Sequence, residues 1–402
     1  MLLVVFAAEL KVPMAFEREL SKANTNHFFR EFTFSKNQFK PNPQSELELA
    51  DSVIYLDDLL IVFQVKEREA PPDTTPEQEE KWFKQQVLNR AMRQIRDTLR
   101  YLKTYPAVEV TNGWGHVFNI AAAKIKKFCK VVLYDSNASL PESSASTRYH
   151  KSSTAGIIHV FNSSDYLAML RTLITPIEVA DYLVFRENVI NTWGEAVSAV
   201  SEKALVGQYL RNLPDEHPSS VFEVLVDKLI QKETEEWDIL RIIHLFAERR
   251  NTPQKSPTDY YDTLTELAKL NRTDMRLFKE RFRTAMDNAN ADQDVRPYRF
   301  VASTGCGFLF IPCPRPLIKT RRIAILQALS ELNKYDLKLE RCVGLSFLSE
   351  GNESWCDVQW YRVAYPWKKN RATEELLKEH NPFRPIKTSV VERYGLVDET
   401  NI

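Results

Sequence analysis

The clearest alternation of apolar and polar positions lies between Glu48 and Lys66, and it predicts two strands joined by a tight turn. Successive side chains of a strand point to opposite faces. Leu60, Val62, Gln64 and Lys66 therefore share one face, and Ile61, Phe63 and Val65 take the other. With Asp57-Asp58 as a two-residue turn, Leu56 pairs with Leu59, and counting back sets Asp51 opposite Gln64. Directly opposed residues have Cβ atoms about 4.5–5.5 Å apart. Asn-Gly or Asp-Gly would be a stronger turn pair, and a slip of one residue would send Asp51 to the other face.

The same kind of pattern organises the rest of the chain. Residues 13–24 predict a short helix with Phe16, Leu20 and Ala23 on one side, and residues 28–36 alternate as a strand. The stretch 67–80, with Pro71, Pro72 and Pro76, reads as a polar loop. Residues 80–103 predict a long helix whose apolar stripe is Leu88, Met92, Ile95, Leu99 and Leu102. Strands follow at 116–122, 129–134 and 156–161, with a surface loop over 136–155, and Asn162 caps the next helix. This order predicts a mixed sheet flanked by helices.

From about residue 165 to 290 the period becomes helical. Thr175-Pro176 opens one helix, and amphipathic stretches cover 193–212, 219–231, 234–249, 257–269 and 273–288. Beyond Arg296, strands are predicted at 298–303, 307–312, 340–347 and 356–364, with a helix at 320–333 and a polar helix and tail after 368. Gly305 and Gly307 read as a hairpin turn. The expected organisation is an α/β core over 1–165, an all-α domain over 166–292 and a small α+β domain over 293–402.

Composition narrows the partners. The 402 residues carry 54 basic and 54 acidic side chains, so a polyanion would have to be held by a local patch. The apolar run Met1–Ala8 is too short to span a bilayer and meets Glu9 without a basic segment before it, a poor signal peptide. No membrane partner is expected. Five scattered cysteines argue against a disulfide framework and for the reducing cytoplasm. Cys306, Cys313, Cys342 and Cys356 form no Cys-x-x-Cys pair and read as buried strand thiols rather than zinc ligands. The aromatic run Trp355, Trp360, Tyr361, Tyr365 and Trp367 reads as core and rim before a base- or peptide-binding surface. No phosphate-binding Gly-Lys-Ser/Thr loop, dinucleotide fingerprint or Gly-x-Ser-x-Gly elbow is present.

The chemistry gathers on the hairpin. Asp51 and the Gln64 amide oxygen are hard donors suited to Mg²⁺ or Mn²⁺, and Lys66 is placed to orient a water or to stabilise charge on a phosphate. Strand-end residues in solvent are the plain alternative. On the helix at 80–103, Arg93, Arg96, Arg100 and Lys103 make a basic stripe that could track a phosphate backbone or be a solvated face. A wheel at 3.6 residues per turn sets Gln94 on the opposite flank from that stripe.

Asp51, twelve residues, then Gln64-Val65-Lys66 on a hairpin resembles the PD-(D/E)xK nuclease superfamily, the fold of many restriction endonucleases. The resemblance covers roughly the first 165 residues, and Gln64 stands where Glu is usual, an oxygen ligand without charge. It implies a restriction endonuclease-like core, a Mg²⁺- or Mn²⁺-dependent hydrolysis of phosphodiester bonds in DNA, and Asp51, Gln64 and Lys66 as catalytic residues. It further implies an acidic residue of the first core helix near the metal, a position Glu17 matches, and a Gln near the site from the helix after the Lys strand, which Gln94 matches. By analogy with that superfamily, anti-phage defence or DNA processing is a fitting role, with a homo-oligomer or a protein partner compatible. The rival expectation is a nuclease fold that has lost its chemistry and serves as a scaffold or DNA-binding module; Gln64 motivates it.

Overall fold

A computed structural model of the chain describes residues 15–42, 44–68, 74–233, 256–313, 319–349 and 356–386. The amphipathic stretch expected at 234–249 and Trp355 lie outside them. The chain divides into two compact units, residues 1–173 with 179–226 and residues 174–178 with 227–402. The helical run expected as one domain over 166–292 is thus shared between the two units. Among the described residues, no helix is long and apolar enough to cross a membrane.

The first unit opens with helix α1 (Ala15–Phe28). Its strands are β1 (Thr33–Lys36), β2 (Gln38–Asn42), β3 (Ser45–Glu48), β4 (Ser52–Leu56), β5 (Leu59–Glu67), β6 (Glu109–Asn112), β7 (Val117–Asn119), β8 (Lys127–Asp135), β9 (Tyr149–Ser152) and β10 (Gly156–Asn162). Among the described residues these build an eight-stranded mixed sheet in the order β7-β6-β1-β4-β5-β8-β10-β9, with β2 and β3 as a separate ribbon. β1, β4 and β5 run antiparallel in succession, and β8 and then β10 continue parallel to β5.

The β4–β5 register follows from the turn. Leu56 pairs with Leu59, Val53 with Val62 and Ser52 with Phe63. Asp57 turns through positive φ (55°), a conformation short Asp side chains tolerate. β5 sits in the middle of the sheet, and Leu59 through Val65 are all buried. Central strands covered on both faces read as near-continuous apolar runs, which is why Gln64 and Lys66 stand out in this one.

Helices cover both faces. After α2 (Pro76–Trp82), capped by Thr75 with Pro76 in its first turn, the helix runs as a π-helix over Phe83–Ala91 and returns to α geometry as α3 (Met92–Thr104). Phe83, Val87, Ala91, Met92 and Ile95 pack with Val53, Leu60, Val62, Val132, Tyr134, Ile158 and Val160. A π-turn is wider than an α-turn, so residues before Met92 fall on different faces from those a 3.6 period predicts. Phe83 and Val87 are buried where Leu88 was expected, and Leu88 is half-buried. On the other face α1 and α4 (Ser163–Thr172) cover the sheet. Tyr166 packs edge-on to Phe63 (5.8 Å) and donates to Asn24 Oδ1 (2.8 Å).

Two local differences from the sequence expectation have simple causes. The run 28–36 is a helix end and a turn before it is a strand: Phe28 closes α1, Phe29 has φ 65°, and Thr33 Oγ1 donates to Phe29 O (2.9 Å). Phe28, Phe29, Phe32 and Phe34 are all buried, so their spacing mimicked alternation. The expected loop over 136–155 contains β9, whose polar sequence pairs with β10 at the sheet edge.

The second unit holds a four-stranded sheet in the order β11 (Tyr298–Val301), β12 (Cys306–Cys313), β13 (Arg341–Ser349) and β14 (Cys356–Ala364). β12 and β13 are parallel, and the outer pairs antiparallel. Gly305 (φ 77°) turns the β11–β12 hairpin. The helix Arg272–Asn290 lays Phe278 and Phe282 against Phe308, Phe310, Phe347 and Trp360. The helix Lys319–Asp336 takes the other face, where a Cβ on Gly344 would collide with Ser330 Oγ. All five cysteines are free, four buried and Cys356 half-buried. Burial pushes the Cys342 thiol up to about 12. Trp360 is packed on Phe278, and Trp367 donates its indole N–H to Tyr335 O (3.1 Å), so both serve packing.

Candidate functional site

The hairpin brings Asp51 and Lys66 together. Asp51 N donates to Phe63 O (3.1 Å), the carbonyl of the residue that Ser52 already faces, so the regular β4–β5 pairing ends at Ser52 and Asp51 sits in a bend at the strand end. The Asp51 carboxylate folds over the strand end: Oδ2 accepts from Val65 N (2.6 Å) and lies 3.5 Å from Lys66 Nζ. Lys66 Nζ also donates to Val65 O (2.7 Å). One carboxylate oxygen is therefore spent on the backbone of the neighbouring strand. Oδ1 makes no hydrogen bond among the described residues.

Gln64 is 2% exposed, and its Oε1 has no hydrogen-bond partner. Nearly all buried polar atoms in native proteins are paired, so an orphaned amide oxygen calls for a physical account. Its neighbours on this face are Val62, the paired residue Val132 of β8, and Lys66, whose Nζ donates to Asp51 Oδ2 and Val65 O instead.

Glu17 joins this group from α1. Phe16 N donates to Glu67 Oε2 (3.0 Å), which ties the start of the helix to the end of β5. Burial raises the Glu17 carboxyl above the usual range, and the charges of Asp51, Glu48 and Glu67 push the same way while Lys66 opposes them. Burial likewise lowers the Lys66 ammonium, partly offset by Asp51, with the positive charge of Arg90 adding to the lowering. The Asp51–Lys66 pair, Glu67 and the unpaired Gln64 amide oxygen thus stand at the carboxyl end of β5, and the charges of Asp51 and Glu48 act on Glu17. In open sheets with parallel strands, that end is where ligands bind.

Among the described residues, no group of three or more His, Cys, Asp and Glu is arranged to hold a metal ion. Gln64 lies outside that set of residue types, and the oxygens of Asp51, Glu17 and Gln64 are the hard donors that Mg²⁺ and Mn²⁺ take.

The basic stripe is where the helix puts it, on the surface: Arg93, Arg96, Arg100 and Lys103 are exposed. Arg100 pairs with Asp97 (2.9 Å), and Arg96 lies close enough to His150 of β9 to lower its pKa, after burial. The arginine whose charge reaches Lys66 is Arg90, in the last turn of the π-helix. The stripe read from the sequence started at Arg93 and left Arg90 out. Gln94 is half-buried, and its Oε1 is a second amide oxygen without a partner. One turn later, Thr98 Oγ1 donates to Leu49 O (2.5 Å), two residues before Asp51.

No protein-family model matches the chain, and neither a curated protein nor a solved structure matches it.

Proposed function

We propose that this chain is a metal-dependent endonuclease that hydrolyses phosphodiester bonds in DNA, with Asp51, Gln64 and Lys66 at its reacting site. The observation that carries this reading is Gln64 Oε1, an oxygen donor buried without a hydrogen bond on the strand whose Val65 and Lys66 hold the Asp51 carboxylate. A buried polar atom left unpaired costs about 1–3 kcal/mol, and a hard cation is a partner that removes this cost. The Glu17 carboxyl is raised by burial first and by the charges of Asp51 and Glu48 after it, and a divalent cation would offset both. Helix α1, strands β1, β4 and β5, the covering helix and then strand β8 keep the helix, strands, helix, strands order expected for such a core, which supports the reading.

Asp51 Oδ1 and Gln64 Oε1 would hold Mg²⁺ or Mn²⁺, with Glu17 as a further ligand. When bound, the ion supplies Lewis-acid polarisation of a phosphate oxygen and of a water. Lys66 acts from the other side. Its ammonium, anchored by Val65 O and Asp51, puts positive charge where a phosphate gains negative charge, and its remaining proton can orient the attacking water. The exposed stripe Arg93, Arg96, Arg100 and Lys103 would hold neighbouring phosphates.

One observation favours the non-catalytic reading. Asp51 Oδ2, Val65 and Lys66 already satisfy one another, and Gln64 adds no charge. Incubating purified protein with plasmid DNA and Mg²⁺ or Mn²⁺ decides between the two. The nuclease reading expects nicking or linearisation that EDTA and Asp51→Ala abolish. Intact plasmid, with no thermal shift on adding either metal, would leave the scaffold reading.

A further inference from the structure

We infer that Arg90 is a phosphate-binding residue for duplex DNA, gripping the backbone one phosphate away from the Asp51–Lys66 pair. The inference deepens the nuclease reading and rests on it for the location of the reacting phosphate.

The geometry comes from the helix layer. Thr98 Oγ1 is bonded to Leu49 O, so this part of α3 lies at the strand end that carries Asp51. Residues four apart are neighbours along an α-helix, so Gln94 precedes Thr98 on the same row, and Arg90 lies about one turn before Gln94, at the end of the π-helix. Val87 and Ala91, on either side of Arg90, are buried against β5 and β8, which fixes the helix at that height. The row Arg90, Gln94, Thr98 therefore runs along the edge of the site.

The side chains of that row differ in what they have left to offer. Thr98 is used by Leu49 O and Gln94 O. Gln94 carries an unpaired buried Oε1. Arg90 is exposed, and its one hydrogen bond among the described residues is from Nη1 to Gln86 Oε1 (3.3 Å). Most of the guanidinium fork remains available, and that fork matches a phosphate bidentately. Lys66 is a point charge already engaged with Asp51, so a second cation is needed to fix the backbone, and Arg90 supplies it. The charge of Arg90 is felt at Lys66, which agrees with this placement. Lys84, on the same π-helix, is tied to Glu80 (2.7 Å) and marks the contrast.

The test is equilibrium binding of a fluorescein-labelled 20-base-pair DNA duplex in EDTA over a series of salt concentrations, with parent, Arg90→Gln, Arg90→Lys and Lys84→Gln. Arg90→Gln should weaken binding about 3–10-fold and make the salt slope shallower by roughly 0.9, the value for one lost phosphate contact on B-DNA. Arg90→Lys should keep the slope and lose part of the affinity. Lys84→Gln should match the parent. Thermal melts of all variants should coincide, because both residues are exposed. An unchanged slope in Arg90→Gln, or an equal change in Lys84→Gln, overturns the inference. A parent that binds no duplex overturns it together with the nuclease reading. A parent that binds through Arg90 but cleaves nothing with Mg²⁺ or Mn²⁺ sinks the nuclease reading alone.

Discussion

Lys66 Nζ lies 3.5 Å from Asp51 Oδ2, and the same oxygen accepts the Val65 amide at 2.6 Å. Asp51 therefore holds the strand end together as well as offering a ligand, and the two roles separate by substitution. Asp51→Asn keeps an oxygen to accept the Val65 N–H and should lose less than about 1 kcal/mol of stability. Asp51→Ala leaves that amide unpaired and should lose about 1–3 kcal/mol. Both should abolish cleavage. Urea melts beside a plasmid assay check this; equal stability loss in the two variants would mean the hydrogen bond contributes nothing.

Lys66 has a pH signature. Burial holds its ammonium below the ordinary lysine range, so the charge disappears at a lower pH than for an exposed lysine. If the protonated form is the working one, cleavage should fall on the alkaline side, at a lower pH than an exposed lysine would set. Lys66→Ala should remove activity and leave the metal-induced thermal shift intact, because an ammonium has no lone pair to ligate. A metal shift lost along with activity would assign Lys66 a different role.

Gln64→Glu adds a carboxylate to a cluster where burial and neighbouring charges already raise Glu17. In EDTA the variant should melt below the parent. With excess Mn²⁺ it should gain more than the parent, since the stabilisation grows as RT ln(1 + [L]/Kd), and activity should hold or rise. Differential scanning fluorimetry with a Mn²⁺ titration measures both effects. A variant that is destabilised and indifferent to Mn²⁺ speaks against a cation beside Gln64.

Neutralising Arg96 and Arg100 together probes the exposed stripe. Binding should weaken alike across DNA sequences, because phosphate contacts carry little sequence information. The salt slope should drop by up to about 1.8, or 0.9 per lost phosphate contact. Folding should be spared, since both side chains are exposed. Affinity and slope that match the parent return the stripe to a solvated face.

On the opposite face of the sheet, Arg186 is fully buried. It bonds both Glu202 oxygens (2.9 and 3.0 Å) and His159 Nδ1 (3.0 Å), while Tyr182 donates to Glu202. Breaking such a pair leaves a buried charge, so Glu202→Gln should cost about 3–5 kcal/mol. Burial, with Arg186 beside it, holds His159 well below its usual pKa of 6.5. The unfolded chain therefore binds a proton that the folded chain refuses, and stability should fall as pH drops below about 6.5, down to the depressed value. His159→Asn should flatten that fall in chemical melts between pH 7 and 5.

The hairpin was legible in the sequence because everything that specifies it is local. A two-residue turn and a period of two determine the partner of every residue from Ser52 to Phe63, whereas Asp51, expected opposite Gln64, donates its N–H to Phe63 O at a bend. The same legibility holds for the helix capped by Asn162 and for the apolar strands β8, β10, β12 and β13, whereas the helix that Thr75 caps begins at Pro76, inside the stretch 67–80 expected as a loop. The short polar strands β2, β3, β6 and β9 carry no such signal; they exist because neighbouring strands or each other supply the missing backbone partners. The π-helix was likewise invisible, since its wider turn departs from the period by which helices are read. Above all, the approach of Glu17 to Asp51 crosses 34 residues of chain. It depends on α1 being tied to the end of β5 through Phe16 and Glu67, a long-range contact that no local pattern encodes and only the packed fold decides.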